Sequence, residues 1–176
     1  MEIILDRYAL RKMGYGLYIV SSILDGKPNG QIANTVFQIT SKPVRIAAAI
    51  SRSNLTHEYI KESLRYSISI LQESTPFPFI GLFGFRSGRV IDKFATAAFR
   101  YGTSGCPIIT ENAVAFMEAK VVNQLDIGTH TLFIGEVTEA EILNDNPPMT
   151  YLYYQEKLKG KTPVDSPTFI PENPAS

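Results

Sequence analysis

Two short segments of the sequence carry the side chains best suited to hold an anion. In residues 51–57 (SRSNLTH), hydroxyl and amide groups crowd the start of an expected helix, where the first N–H groups have no intrahelical partner. In residues 87–94 (SGRVIDKF), Gly88 permits close approach of the backbone, and Arg89 and Lys93 supply positive charge. Together the two segments predict a site for a phosphate group.

Both segments also have an ordinary structural explanation. Helix capping alone accounts for Asn54 or Thr56, because amide and hydroxyl side chains are common at helix starts. Arg89 and Lys93, taken singly, are residue types that usually lie in solvated surface turns. At the level of sequence, these explanations stay open beside the phosphate site.

Other patterns of catalytic and metal-binding residues are missing from the sequence. It has no Gly-x-Gly-x-x-Gly fingerprint, no phosphate loop, and no serine in a Gly-x-Ser-x-Gly elbow. His57 and His130 are the only histidines and Cys106 is the only cysteine, which argues against a hydrolase triad, a metal site and an internal disulfide. We therefore expect an inert, structural Cys106 and a bound organic cofactor for any redox chemistry.

Composition narrows the class of protein further. With 176 residues, 44% of them hydrophobic, the chain is expected to form a single domain over residues 1–176, with an extended tail from about residue 160. Seventeen basic residues balance seventeen acidic ones, which disfavours nucleic-acid and membrane partners. Neither a long apolar run nor a secretory signal is visible, so we predict a cytoplasmic location.

The elements that must position the two segments are mostly strands. A turn over residues 25–30 (DGKPNG) would join the first two strands as a hairpin. One helix is expected to start at its N-cap Thr56, and a short second helix over residues 79–85 to end at Gly88. The expected strands are 16–23, 31–40, 45–50, 67–71, 113–127 and 129–143. This pattern predicts a mainly β fold, a closed antiparallel sheet with short helices at its ends.

A family resemblance adds to this interpretation. In four segments taken in order, the sequence resembles the flavin reductase-like proteins of the FMN-binding split-barrel fold: QIANTVFQITSKP, SRSNLTHEYIK, FIGLFGFRSGRVIDKF and GTHTLFIGEV. It is most similar to the flavoprotein domain of high-molecular-weight rubredoxins and their stand-alone relatives, over about residues 6–168. The resemblance implies an antiparallel, Greek-key-like split β-barrel with a few short helices.

The resemblance also implies a role for each group of candidate site residues. The isoalloxazine ring of FMN would be lined by Ala33, Asn34 and Thr35. The ribityl chain or phosphate would be held by Ser51, Ser53, Asn54 and Thr56, and the phosphate site completed by Ser87, Arg89 and Lys93. His130, in the run GTHT, would lie near the flavin and the nicotinamide, although the residues alone describe it equally as a structural strand histidine.

The sequence departs from the family pattern in two ways. Val90 follows Arg89, where the family often has an acidic residue, so a local salt bridge is expected to be missing. The iron-binding rubredoxin extension is also missing, so electrons would have to pass to a separate partner.

The resemblance implies an FMN-containing oxidoreductase that forms a homodimer. It would take electrons from NADH or NADPH, directly or through a reductase, and give them to free flavin or an electron-carrier protein. Flavin chemistry needs no protein nucleophile, in agreement with the missing triad. The alternative is a non-catalytic FMN-binding or FMN-storage protein. A pyridoxine-phosphate oxidase-like enzyme is a weaker third interpretation, because its basic substrate-binding residues are not recognisable.

Overall fold

A computed structural model describes residues 6–171 of the chain. A short 3-10 helix (Arg7–Lys12) precedes a fold that is mostly strand. The strands are β1 (Tyr18–Leu24), β2 (Lys27–Ala33), β3 (Val36–Ser41), β4 (Val44–Ser51), β5 (Arg65–Leu71), β6 (Phe99–Tyr101), β7 (Pro107–Ile109), β8 (Ala113–Asp126) and β9 (His130–Ile142). The helices are α1 (Leu55–Ser63), α2 (Phe77–Gly84) and α3 (Tyr151–Glu156).

Seven strands form one antiparallel sheet in the order β2-β1-β5-β8-β9-β4-β3. The long strands β8 and β9 pair near the middle of the sheet. Register shifts along their pairing mark bulges, which help the sheet to curve. Within residues 6–171 no ladder joins the edge strands β2 and β3, so the barrel stays split. The predicted mainly β, antiparallel split barrel is confirmed.

The hairpin between β1 and β2 is tighter than the sequence predicted. The turn is Asp25 and Gly26 alone, with φ of 50° and 74°, which is the two-residue geometry that Asp-Gly favours. β2 therefore begins at Lys27 and includes Pro28, which an edge strand tolerates because one side of it needs no ladder hydrogen bonds. The predicted strand over residues 31–40 was wrong as a single element, since it breaks at Asn34 into β2 and β3.

Both predicted helices are present, with different starts. The N-cap of α1 is Asn54 and not Thr56, so the helix begins one residue before Thr56. α2 begins at Phe77, because Pro78 suits the first turn of a helix, and it ends at Gly84 and not at Gly88. The third helix, α3, was not predicted. Within residues 6–171, no helix is long and apolar enough to cross a membrane.

Apolar side chains cover both faces of the sheet. The barrel interior is filled by a cluster that includes Ile50, Ile68 and Phe133. A second cluster, on the outer face, packs α2 and α3 against the sheet. Strand β1 contributes to both, since Ile19 lies in the outer cluster and Val20 in the inner one, as the alternation of a strand requires. The outer cluster forms one wall of the cavity described next.

Candidate functional site

A cavity of about 370 Å³ lies where strands β2 and β4 meet the start of α1, the end of α2 and the loop after it. That volume falls in the range of sites for small molecules and cofactors. One wall is apolar and consists of Leu17, Ile80, Phe83, Tyr151 and Tyr154. The opposite wall is polar.

The structure brings most of the predicted site residues to this cavity. The predicted residues that line it are Ala33, Asn34, Ser51, Ser53, Asn54, Thr56, Ser87 and Lys93. The two segments predicted to bind phosphate, residues 51–57 and 87–94, are about thirty residues apart in sequence and line the same cavity. Thr35, Arg89 and His130 are not among the lining residues.

Asn29 joins the two segments, and sequence reasoning missed it. Its side-chain amide is buried and donates to Thr56 Oγ1 at 2.8 Å. Gly88 packs so closely against Oδ1 of Asn29 that any side chain at position 88 would overlap it. Asn29 was assigned to the turn 25–30, and its position in an edge strand became visible only with the fold.

Helix capping does not explain the polar side chains at the start of α1. Asn54 occupies the N-cap position, but its side chain makes no capping hydrogen bond. Thr56 Oγ1 accepts from Asn29, and the hydroxyls of Ser51 and Ser53 lie 2.9 Å apart. These groups and the first N–H groups of α1 form a donor-rich surface suited to an anion.

Lys93 is buried, so the surface-turn explanation is wrong for this residue. Its ammonium donates to the backbone oxygens of Gly30, at 2.9 Å, and Phe83, at 3.2 Å. Since an ammonium has three donors, one remains for a ligand in the cavity. Burial lowers the pKa of Lys93 to about 8, and no carboxylate within residues 6–171 forms an ion pair with it.

Arg89 differs from Lys93. It is exposed and forms an ion pair with Glu58 of α1. Arg89 therefore has a carboxylate partner from the helix, although Val90 stands where the family often has an acidic residue. Arg86, three residues earlier, lines the cavity and was not predicted. A contact of Arg89 with a bound phosphate stays a prediction.

Residues 161–168, which we call the strap, cover one side of the cavity. The strap adds Lys161, Pro163, Asp165, Ser166 and Pro167 to the lining residues. Two tyrosines of α3 hold its start, because Tyr154 donates to the carbonyl oxygen of Lys161 at 3.0 Å and the Tyr151 hydroxyl bonds to that of Thr162. The sequence predicted an extended tail here but no part in the site; residues 172–176 lie outside the described part.

The other end of the strap is anchored by residues expected beside a flavin ring. The Asn34 side chain donates to Thr168 Oγ1 at 2.6 Å, and Thr35 Oγ1 donates to Asn34 Oδ1 at 3.1 Å. His130 Nε2 lies 3.1 Å from the Asp165 carbonyl oxygen, and its Nδ1 lies 2.8 Å from Thr129 Oγ1. His130 is thus held next to the cavity through the strap.

One polar atom of the wall lacks a partner. Oε1 of Gln31 is buried and has no hydrogen bond among the described residues. Buried polar atoms are normally paired, so an unpaired acceptor in a cavity wall fits a ligand that carries an N–H group. Hydroxyls and an ammonium on one wall, an apolar wall opposite and this acceptor fit a phosphorylated cofactor with a flat aromatic ring.

The other two side chains of a reactive type, His57 and Cys106, are buried in the protein. His57 Nε2 lies 2.8 Å from Thr131 Oγ1, its ring packs against Phe133, and burial lowers its pKa. Burial raises the pKa of the Cys106 thiol to about 12, which agrees with an inert cysteine. Within residues 6–171, no three histidine, cysteine or acidic side chains lie together as metal ligands.

Comparison with known proteins shows which family the chain belongs to. The model of the flavin reductase like domain matches residues 10–162. The chain belongs to the flavin reductase-like family. A ferric-chelate reductase (NAD(P)H) from Archaeoglobus fulgidus is 50% identical over 159 residues, covering 90% of this chain and 94% of that protein. A high molecular weight rubredoxin from Moorella thermoacetica is 45% identical over 165 residues, covering 94% of this chain and 72% of the relative.

Solved structures share the fold of this flavin reductase-like chain. An NADH:FAD oxidoreductase from Streptomyces globisporus superposes with a TM-score of 0.74 at 24% identity, covering 85% of this chain and 92% of that one. An FMN-binding protein from Thermus thermophilus gives a TM-score of 0.72 at 23% identity, covering 81% and 78%. The predicted family resemblance is confirmed, and the chain is an oxidoreductase of this family.

Proposed function

We propose that the chain is an FMN-dependent oxidoreductase that takes electrons from NADH or NADPH, directly or through a reductase. It passes them to free flavin or to an electron-carrier protein. The observation that carries this proposal is that residues 51–56 and 87–93, which include the buried Lys93, line the same cavity. The nicotinamide donor is supported by the relative from Archaeoglobus fulgidus, which is named for its use of NAD(P)H.

The polar wall is assigned to the phosphate end of FMN. The hydroxyls of Ser51, Ser53 and Ser87 would hold phosphate or ribityl oxygens, and Lys93 would supply the positive charge. The amide of Asn54 and the hydroxyl of Thr56 belong to the same wall. Arg86, which lines the cavity, would add a second positive charge, and Arg89, paired with Glu58, is predicted to complete the phosphate site.

The other end is assigned to the isoalloxazine ring. Ala33 and Asn34 lie in the wall at the end of β2, and Thr35 orients the Asn34 amide. Bound FMN supplies hydride acceptance and electron release. The apolar wall would exclude water from the ring, and His130, which contacts the strap, would lie near the flavin and the nicotinamide.

Flavin binding and reduction test the proposal directly. The purified protein is expected to show oxidised-flavin absorbance at about 450 nm, or to gain it when FMN is added. Anaerobic stopped-flow mixing with NADH and with NADPH should bleach this band on the timescale of turnover. FMN binding without bleaching by either donor, both alone and with an added reductase, would support the storage protein instead, for which the strap across the cavity is the favouring observation. A protein that takes up no FMN would refute both.

We also propose that the protein is a cytoplasmic homodimer. Apolar side chains at the β3 edge and the β3–β4 hairpin are exposed: Phe37 by 49%, Ile39 by 39% and Val44 by 44%. An edge strand with such side chains normally pairs or is covered. Cys106 is buried and unpaired, which suits a reducing compartment.

A charge on this edge should separate the subunits. Phe37→Glu is expected to shift the protein from dimer to monomer, because an unpaired carboxylate would be buried at the interface. Analytical ultracentrifugation over a range of concentrations measures the change. Val90→Glu is the matched control, since Val90 is 82% exposed in the loop after α2 and not in the β3 edge. A wild-type protein that sediments as a monomer at all concentrations would contradict the homodimer.

A further inference from the structure

A second concave surface lies on the far side of the strap. This basic groove runs between the N-terminal 3-10 helix, α3 and the end of the strap, with a volume of about 890 Å³. Four cationic side chains line it, namely Arg11, Lys12, Lys159 and Lys161, against one carboxylate, Glu156. The chain as a whole has a formal net charge of zero, so the groove is a local concentration of positive charge.

The groove has an apolar centre inside its basic rim. Phe169 and Ile170 are half-buried in it, and Tyr8 and Leu152 are exposed by 58% and 56%. Within residues 6–171, none of the four cations forms an ion pair with a carboxylate. Apolar and aromatic side chains surrounded by charged ones are the usual composition of a protein–protein interface.

Only the strap separates the basic groove from the cavity assigned to FMN. Lys161 lines both spaces. Thr168 lines the groove and accepts the hydrogen bond of 2.6 Å from Asn34, which lines the cavity. A molecule in the groove would thus lie one layer of chain away from the assigned ring.

We propose that the basic groove docks a small acidic electron-carrier protein that receives electrons through the strap. This inference rests on the proposed function and names the acceptor for it. Each reduced FMN would give one electron to each of two oxidised iron carriers in turn, while its protons pass to solvent. The exposed cations of the groove suit a broad acidic surface better than a small ligand, which is normally enclosed and held by a few buried polar groups.

Charge reversal in the groove tests the docking of an acidic carrier. The probe is a purified one-iron rubredoxin with net negative charge, titrated into the FMN-loaded protein by calorimetry at low and high salt. Arg11→Glu with Lys12→Glu is expected to weaken its binding by about tenfold or more at low salt, and the difference should shrink at high salt. The matched control, Lys27→Glu with Lys61→Glu, changes net charge equally at exposed positions outside both cavities and should bind nearly as wild type.

Other readouts separate this proposal from its competitors. Reduction of free FMN by NAD(P)H should be the same in both double variants and the wild type. Equal weakening of rubredoxin binding in both double variants, or none in the groove variant, would overturn the docking site. A raised KM for NADPH in the groove variant, with unchanged rubredoxin binding, would also overturn it, because the groove would then hold the dinucleotide. Failure to take up FMN would refute the proposed function, whereas titration of rubredoxin into the FMN-free protein and its two double variants would still test the docking site.

Discussion

Lys93→Met is expected to weaken FMN binding by about ten- to a hundredfold, because the variant loses a charged hydrogen bond to the phosphate. The ammonium of Lys93 is buried, and backbone carbonyls occupy two of its three donors. A phosphate would provide its missing counter-charge. Fluorescence titration of the apoprotein measures the dissociation constant.

Riboflavin, which lacks the phosphate, is the matched ligand for this variant. Its dissociation constant should change by less than about twofold in Lys93→Met, because no charge on the ligand depends on the lysine. Lys27→Met, an exposed lysine outside the cavity, serves as the control protein. If riboflavin and FMN weakened equally, Lys93 would support only the carbonyls of Gly30 and Phe83 and not the phosphate.

The same lysine predicts a dependence on pH. Burial lowers the pKa of Lys93 from 10.5 to about 8, so above about pH 8 the unliganded folded protein loses the ammonium. FMN binding by the wild type should therefore weaken as the pH rises through about 8, and the Lys93→Met profile should stay flat. Between about pH 8 and 10.5 the unfolded chain binds more protons at this lysine than the folded one, so its contribution to the free energy of unfolding rises with pH.

Removal of the strap should release FMN at least about tenfold faster, since its contacts and its exclusion of water are lost together. A chain that ends after Gly160 lacks every strap residue of the cavity wall, including Asp165 and Ser166. It also lacks the partners of Asn34 and His130. The rise in flavin fluorescence after strong dilution of the FMN-loaded protein gives the dissociation rate.

Two further variants keep this prediction testable. A chain that ends after Ile170 retains the strap and should release FMN at the wild-type rate. Thr168→Val removes the hydrogen bonds of the Thr168 hydroxyl with Asn34 and Ser166 and leaves the rest of the strap in place, so it should give an intermediate rate. Equal release from the chains ending after Gly160 and Ile170 would show that the strap does not cover the flavin.

The parts of the site that could be predicted from sequence are those whose chemistry is local. The serine, threonine and asparagine side chains around the start of α1 carry donors in any fold, so residues 51–56 were recognised from their types and order. Gln31, Tyr151 and Tyr154 reach the cavity only because distant elements pack together. Arg86 and Arg89 have similar surroundings in sequence, and only the turn after α2 determines which one lines the cavity.

The same division holds for the fold. Strands β8 and β9 were predicted to within one residue at each end. Their β-like runs are long, and Gly128 marks the turn between them in the sequence. β2 was misplaced because its Pro28, Asn29 and Gly30 are typical turn residues. Their place in a strand depends on β2 lying at a sheet edge, which is a property of the assembled barrel.

The strap also divides the cavity wall between two parts of the chain. Every other lining residue, from Leu17 to Tyr154, precedes residues 161–168. Three neighbouring strap residues, Pro163, Val164 and Asp165, are exposed. A protease that cuts there would therefore open the site on one side, while the polar and apolar walls stay with the folded sheet.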